Sequence, residues 1–175
     1  MKNLALILTL LFILNSCKSS KGIVTIKSKS NVSETIENSL STRSPETDSI
    51  ANSIIDYAKQ FNGVKYKYGG TTKKGMDCSG LVTTAFKSED ILLPRTTEDL
   101  ALEGDWIDLK EVQKGDLLFF ATKKNNRNVN HVGLVTEARL GFVEFIHASS
   151  SLGVIISNLA ERYWHTTFVQ ARRIL

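Results

Sequence analysis

The stretch that constrains this chain most is Gly69-Gly70-Thr71-Thr72-Lys73-Lys74-Gly75-Met76-Asp77-Cys78-Ser79-Gly80-Leu81-Val82. Leu81, Val82, Ala85 and Phe86 recur at helical spacing, so a glycine-rich loop delivers one cysteine to the start of a helix. The thiolate is the reactive form of cysteine, and the unpaired N–H groups of a helix start lower its pKa from about 8.5 toward neutrality. Cys78 therefore reads as an activated nucleophile. A buried small hydrophobe is the competing reading of any free cysteine. Polar Asp77 and Ser79 on either side count against it, and the choice rests on whether the chain supplies a base.

With 175 residues, 42% of them apolar, the chain can bury the core of one domain and still carry extensions. Residues 1–17 read as such an extension. Met1-Lys2-Asn3 is a short positive start, and residues 4–14 are an apolar run of secretory type, shorter than the ~20 residues that span a bilayer. The run breaks at Leu14-Asn15-Ser16-Cys17, which resembles the lipobox of bacterial lipoproteins, with Cys17 as the acylated residue. An ordinary signal peptide with an incidental cysteine is the alternative. The sequence holds 2 cysteines, so with Cys17 lipidated Cys78 has no intramolecular disulfide partner. Multiple acyl chains would make membrane attachment effectively permanent. The formal charge of +4 is mild. Much of it falls on Lys18, Lys21, Lys27, Lys29 and Arg43, which suits a tether against anionic lipid or an acidic polymer, and equally a plain soluble linker.

Residues 18–46 are rich in Ser, Thr, Lys and Asn with no sustained period, and read as a flexible linker. Ser44-Pro45-Glu46-Thr47-Asp48 then supplies a cap and acidic first turn. Ile50, Ile54, Ile55, Ala58 and Phe61 follow at helical spacing until Asn62-Gly63, so a folded domain is expected over residues 47–175. After the cysteine helix, residues 91–94 are extended and residues 95–100 resemble a short capped helix. A turn over 111–114, a strand over 116–121 and a polar loop over 123–130 come next. The remainder reads as strands at 131–136, 142–147, 154–157 and 167–172, with a brief helix over 158–164, in the manner of an antiparallel meander. Helices first and strands second give an α+β order, with N-terminal helices packed on an antiparallel sheet of five to six strands.

A cysteine nucleophile needs a base. His131 opens a strand after a polar loop and His147 closes the next. If the two strands form a hairpin through residues 137–141, the start of one lies beside the end of the other and the imidazoles become neighbours. His131 would then take the thiol proton and later protonate the leaving amine, and His147 would hold its orientation and tautomer. Either histidine taken alone reads more readily as a surface or satisfied core residue. His165 is assigned no role. One Cys and two His do not make the close-paired, four-ligand set of structural zinc, so no metal is expected.

Tyr66-Lys67-Tyr68-Gly69-Gly70, Asp77-Cys78-Ser79-Gly80-Leu81-Val82, Leu93-Pro94-Arg95-Thr96, Lys114-Gly115-Asp116-Leu117-Leu118-Phe119-Phe120, His131-Val132-Gly133 and Phe145-Ile146-His147-Ala148 together resemble the successive blocks of the NlpC-type (NlpC and p60) cysteine peptidases of bacterial cell walls. The ending, through Ile155-Ile156-Ser157, Tyr163-Trp164 and Ala171-Arg172-Arg173, is most similar to the lipoprotein murein endopeptidases of that family. The resemblance covers the chain from about residue 49 onward.

It implies a papain-like core with Cys78 as nucleophile, His131 as base and His147 as third polar member. It also implies a Tyr66 hydroxyl near the thiol, acting with the Cys78 N–H as oxyanion donors. Asp77, Ser79 and Arg95 match positions lining the cleft. Asp77 is either a binder of a stem peptide's free amine or a helix cap. The implied reaction is hydrolysis of amide bonds in peptidoglycan stem peptides or cross-links, by a monomer needing no cofactor and no nucleic acid. The expected location is the cell envelope, on the periplasmic face of the outer membrane. A non-catalytic peptidoglycan-binding or regulatory lipoprotein of the same fold is the alternative. Two departures stand out: Leu100 occupies a position where that block commonly has glutamine, and the loop over 123–130 is longer and richer in asparagine than expected.

Overall fold

The computed structural model describes residues 43–125 and 127–175. The apolar leader, the lipobox with Cys17, and all but the last few residues of the linker lie outside the described residues.

Helix α1, Pro45–Lys59, starts where the cap residues place it. The Ser44 hydroxyl accepts the Thr47 N–H, Pro45 occupies the first turn, and Glu46 and Asp48 face the positive end of the helix. Its buried stripe is Ala51, Ile54, Ile55 and Ala58, the apolar set recurring every three to four residues. Just before α1, the Arg43 guanidinium meets Asp116 at 2.7 Å, and Arg173 near the chain's end meets the other Asp116 oxygen at 2.8 Å. Asp116 is fully buried, and this double pairing keeps its charge tolerable there.

The glycine-rich loop is more structured than its composition suggests. Strands β1, Thr71–Thr72, and β2, Gly75–Met76, form a small antiparallel hairpin, and Tyr66 pairs with Met76 as an isolated bridge. Helix α2, Cys78–Lys87, follows, then the short α3, Thr97–Leu100. Strand β3, Asp105–Ile107, precedes a 3-10 turn at Leu109–Glu111. The main strands are β4, Leu117–Phe120; β5, His131–Arg139; β6, Phe142–Ser149; and β7, Gly153–Asn158. Helix α4, Arg162–Thr167, and strand β8, Phe168–Arg173, complete the chain.

Among the described residues these strands form one six-stranded antiparallel sheet of order β3-β8-β4-β5-β6-β7, within the expected α+β class. β4 pairs on the outer side of β5, and β5 to β7 follow the expected meander. β8 departs from it, because α4 carries the chain back across the sheet and inserts β8 between β3 and β4. β3 was not anticipated: with Ile107 buried and the two residues before it exposed, it has no alternation long enough to read.

Alternate residues of β4 face opposite sides of the sheet. Leu117 and Phe119 join Ile54, Ala58, Leu81, Val82 and Phe86 beneath the helices, while Leu118 and Phe120 join Val135, Phe145 and Trp164 on the far side. All four β4 residues are fully buried, which accounts for a continuous apolar run where a one-faced strand would alternate.

Candidate active site

Asp77 caps α2. Its Oδ1 accepts the Gly80 N–H at 2.7 Å, and its Oδ2 accepts the Gly69 N–H at 2.6 Å and an Arg95 Nη2 hydrogen at 2.8 Å. Arg95 Nη1 donates to the Ser79 hydroxyl at 2.7 Å. Asp77, Ser79 and Arg95 thus fasten the loop, the helix start and the segment before α3 to one another. Burial alone would raise the Asp77 pKa, but hydrogen bonds from Arg95, Gly80 and Gly69 outweigh it and hold the carboxyl below its usual range. Of the two roles considered for Asp77, its oxygens serve the cap. Gly80 has a separate constraint: a Cβ there would collide with the Gly70 carbonyl oxygen, so no larger residue fits where loop and helix touch.

This clamp sets Cys78 in the first helical position of α2, 7% exposed, with its Sγ 3.6 Å from the Thr97 hydroxyl. The N–H groups of Val132 and Ser79 also face the sulfur, so the thiol lies one residue along β5 from His131. The expectation of a lowered thiol pKa is not met. Burial dominates and pushes the thiol up, and the Thr97 hydroxyl and the two N–H groups only moderate it. Tyr66 is half-buried beside this point; burial first, and then the charge of a Cys78 thiolate, raise its pKa.

The two histidines meet as the hairpin argument requires, with His131 Nε2 3.0 Å from His147 Nδ1. The β5–β6 turn is tighter than residues 137–141, since Arg139 already pairs with Phe142 across Leu140-Gly141. Gly141 has φ +75°, the left-handed backbone that favours glycine in such turns. On its other side His147 Nε2 lies 3.0 Å from the Ser157 hydroxyl. Trp164 stacks on His131 at 5.4 Å between centroids and meets His147 edge-on at 4.6 Å. Phe145 packs on His147 and Phe120 lies against His131. In this aromatic enclosure burial lowers His131 to about 4, and burial together with the His131 charge lowers His147 to about 3. Both rings are neutral around pH 7.

Residues 63–173 match the NlpC/P60 family. The chain belongs to that family. It is 42% identical over 122 residues to the probable endopeptidase NlpC of Escherichia coli K12, covering 69% of this chain and 76% of that protein. It is 39% identical over 123 residues to the murein DD-endopeptidase MepS/murein LD-carboxypeptidase of the same strain, covering 70% of this chain and 62% of that one. A crystal structure of an NlpC/P60 family protein from Bacillus cereus superposes with a TM-score of 0.65 at 32% identity, over 71% of this chain and 40% of its own length. The papain-like α+β arrangement implied by the resemblance is therefore the fold of this chain.

Within this NlpC/P60 domain the Leu100 departure has a structural meaning. Leu100 is fully buried among Leu81, Phe86 and Phe119, so α3 uses the position for packing. The loop over 123–130 is closed at its base by Asn130, whose Oδ1 accepts the Thr122 N–H at 2.7 Å and whose Nδ2 donates to the Thr122 hydroxyl at 3.0 Å. Among the described residues no three His, Cys, Asp or Glu side chains cluster as metal ligands do. Three neighbours of the site escaped sequence reasoning: Thr97, Ser157 and Trp164. Ser157 had a readable signal, since a turn through residues 149–153 pairs His147 with Ile155 and so puts position 157 on the same face, two residues along. Thr97 and Trp164 reach the site through helix placement, which no local pattern encodes.

Proposed function

We propose that this NlpC/P60 domain hydrolyses amide bonds in peptidoglycan stem peptides or cross-links through an acyl-thioenzyme. The observation that carries the reading is the neutral imidazole pair at 3.0 Å beside a thiol held against the neighbouring residue, Val132. With Nε2 of His131 engaged by His147, Nδ1 is the nitrogen left to serve the thiol. Cys78 Sγ attacks the amide carbon as its proton passes to Nδ1, and the developing oxyanion takes hydrogen bonds from the Cys78 N–H and the Tyr66 hydroxyl. The C–N bond then breaks as His131 returns the proton to the leaving amine. Water, deprotonated by His131, opens the thioester, releasing the carboxylate and regenerating the thiol. Arg95, its side chain 41% exposed while anchored on Asp77, and Ser79, to which it donates, would border the substrate in this reading.

Residues 1–17 serve in this reading as a lipoprotein leader, residues 18–46 as a tether, and Cys17 as the lipidated residue holding a monomeric domain at the periplasmic face of the outer membrane. The similarity to MepS favours the cross-link as the bond cut. Purified sacculi treated with the full chain should release muropeptides, and Cys78→Ala should release none. Equal sacculus binding by both proteins without release from either would support the non-catalytic reading instead. A Cys17→Ser chain recovered undiminished in the membrane fraction would contradict the anchor.

A further inference from the structure

Ser157 is a buried hydroxyl on the most aromatic face of the molecule, 7% exposed and directly opposite Phe145. A polar side chain in such a place is costly unless hydrogen-bonded, and its Oγ meets His147 Nε2 at 3.0 Å. A neutral imidazole carries one N–H and one lone pair, so the proton positions of the two rings are linked. The 3.0 Å bond between His131 Nε2 and His147 Nδ1 needs one donor and one acceptor. For His131 to accept a proton at Nδ1, its own must sit on Nε2. His147 then accepts at Nδ1 and carries its proton on Nε2, facing Ser157. Moving the His147 proton to Nδ1 reverses the pair, forces the His131 proton onto Nδ1 and closes the base.

We infer that Ser157 is a positioning residue: its hydroxyl, able to accept or donate, here accepts the His147 Nε2 proton and so satisfies the tautomer pair that leaves His131 Nδ1 open toward Cys78. This rests on the peptidase reading of the site and adds a fourth member to the Cys78, His131, His147 series. When His131 is protonated during turnover the same directions persist, because Nε2 keeps donating to His147 and His147 to Ser157. Ser157 acts at two removes from the thiol and touches no substrate in this scheme. Removing its oxygen leaves a buried N–H on His147 without an acceptor, which favours the tautomer that closes the base.

Long-range proton–nitrogen NMR of the imidazoles in the full chain, with kinetics of Ser157→Ala and Ser157→Thr, tests this. The parent should carry both His131 and His147 protons on Nε2. Ser157→Ala should show a second His147 population protonated at Nδ1, and kcat should fall about 5- to 20-fold, as one lost buried hydrogen bond implies, with KM changed less than about twofold. Ser157→Thr, which keeps the oxygen, should restore both. A parent His147 protonated at Nδ1, or Ser157→Ala with parent tautomers and parent kcat, would overturn the inference. If Ser157→Ala does not fold, the tautomers of the parent and of Ser157→Thr decide the matter. A chain inactive on peptidoglycan but with the stated tautomers would count against the peptidase reading while leaving the tautomer assignment through Ser157 standing.

Discussion

At the thiol, burial and hydrogen bonding act against each other, and burial prevails. The Cys78 pKa is raised while His131 is lowered to about 4, burial being the leading cause of both shifts, so at rest the pair is thiol and neutral imidazole. In the proposed mechanism proton transfer is then part of the attack itself, and His131 can serve as base wherever it is unprotonated. Accordingly kcat/KM should stay level from neutrality down to about pH 5 and fall as pH drops through about 4. An acid limb centred near 6.5, the ordinary histidine value, would show that the enclosure by Trp164 and Phe120 does not desolvate the ring. The place of Cys78 at a helix start, between Asp77 and Ser79, and the meeting of His131 with His147 across a hairpin are legible in the sequence. The sulfur's resting state is not legible, since it depends on how deeply the thiol is buried once α2 meets the sheet.

At the scale of elements, α2 and β5 bring the chemistry together, and small residues allow the contact. Gly80 lets the glycine loop lie on α2, and a Cβ at Gly133 would strike the Phe145 ring. α3 contributes by packing, with Thr97 against the thiol and Leu100 in the core. Leu100→Ala should therefore cost about 2–5 kcal/mol in a denaturant or thermal unfolding measurement, the usual toll for a buried leucine. The folded fraction should keep KM within about twofold, because the residue packs and does not touch substrate. A large KM rise with unchanged stability would return α3 to a substrate-binding role. Most elements follow from period and caps: the Ser44 cap, the α1 stripe and the β5–β6 hairpin were all readable. β3 and the β1–β2 hairpin were not, because strands of three and two residues borrow their stability from β8 and from the cysteine loop.

For the whole molecule, the site histidines couple folding to pH. Both have folded pKa values below the unfolded 6.5, His131 at about 4 and His147 at about 3, so the unfolded chain binds their protons more readily. Their favourable contribution is complete above pH 6.5 and is lost as pH falls, down to about 4 for His131 and about 3 for His147. The His131 shift alone corresponds to roughly 3 kcal/mol. Thermal unfolding should therefore show Tm declining from pH 7 to pH 4, and His147→Phe, which removes one of the two titrating rings from the same cage, should flatten that decline. A wild-type Tm constant over the range would contradict the neutral buried pair. Fold class, the helix-then-sheet order and the blocks that carry the family were legible along the chain. The insertion of β8 between β3 and β4 was not, because only the return path of α4 sets it.

The central claim, that Cys78 opens an amide bond with His131 as its base, is tested most directly by following one defined cross-linked muropeptide by mass spectrometry with the full chain and with Cys78→Ala. The expected result is cleavage into two products whose masses sum to the substrate plus one water, at a rate reduced by at least about 1,000-fold in Cys78→Ala. Cleavage by Cys78→Ala at the wild-type rate, or an intact muropeptide after prolonged incubation with the wild-type chain, would contradict it.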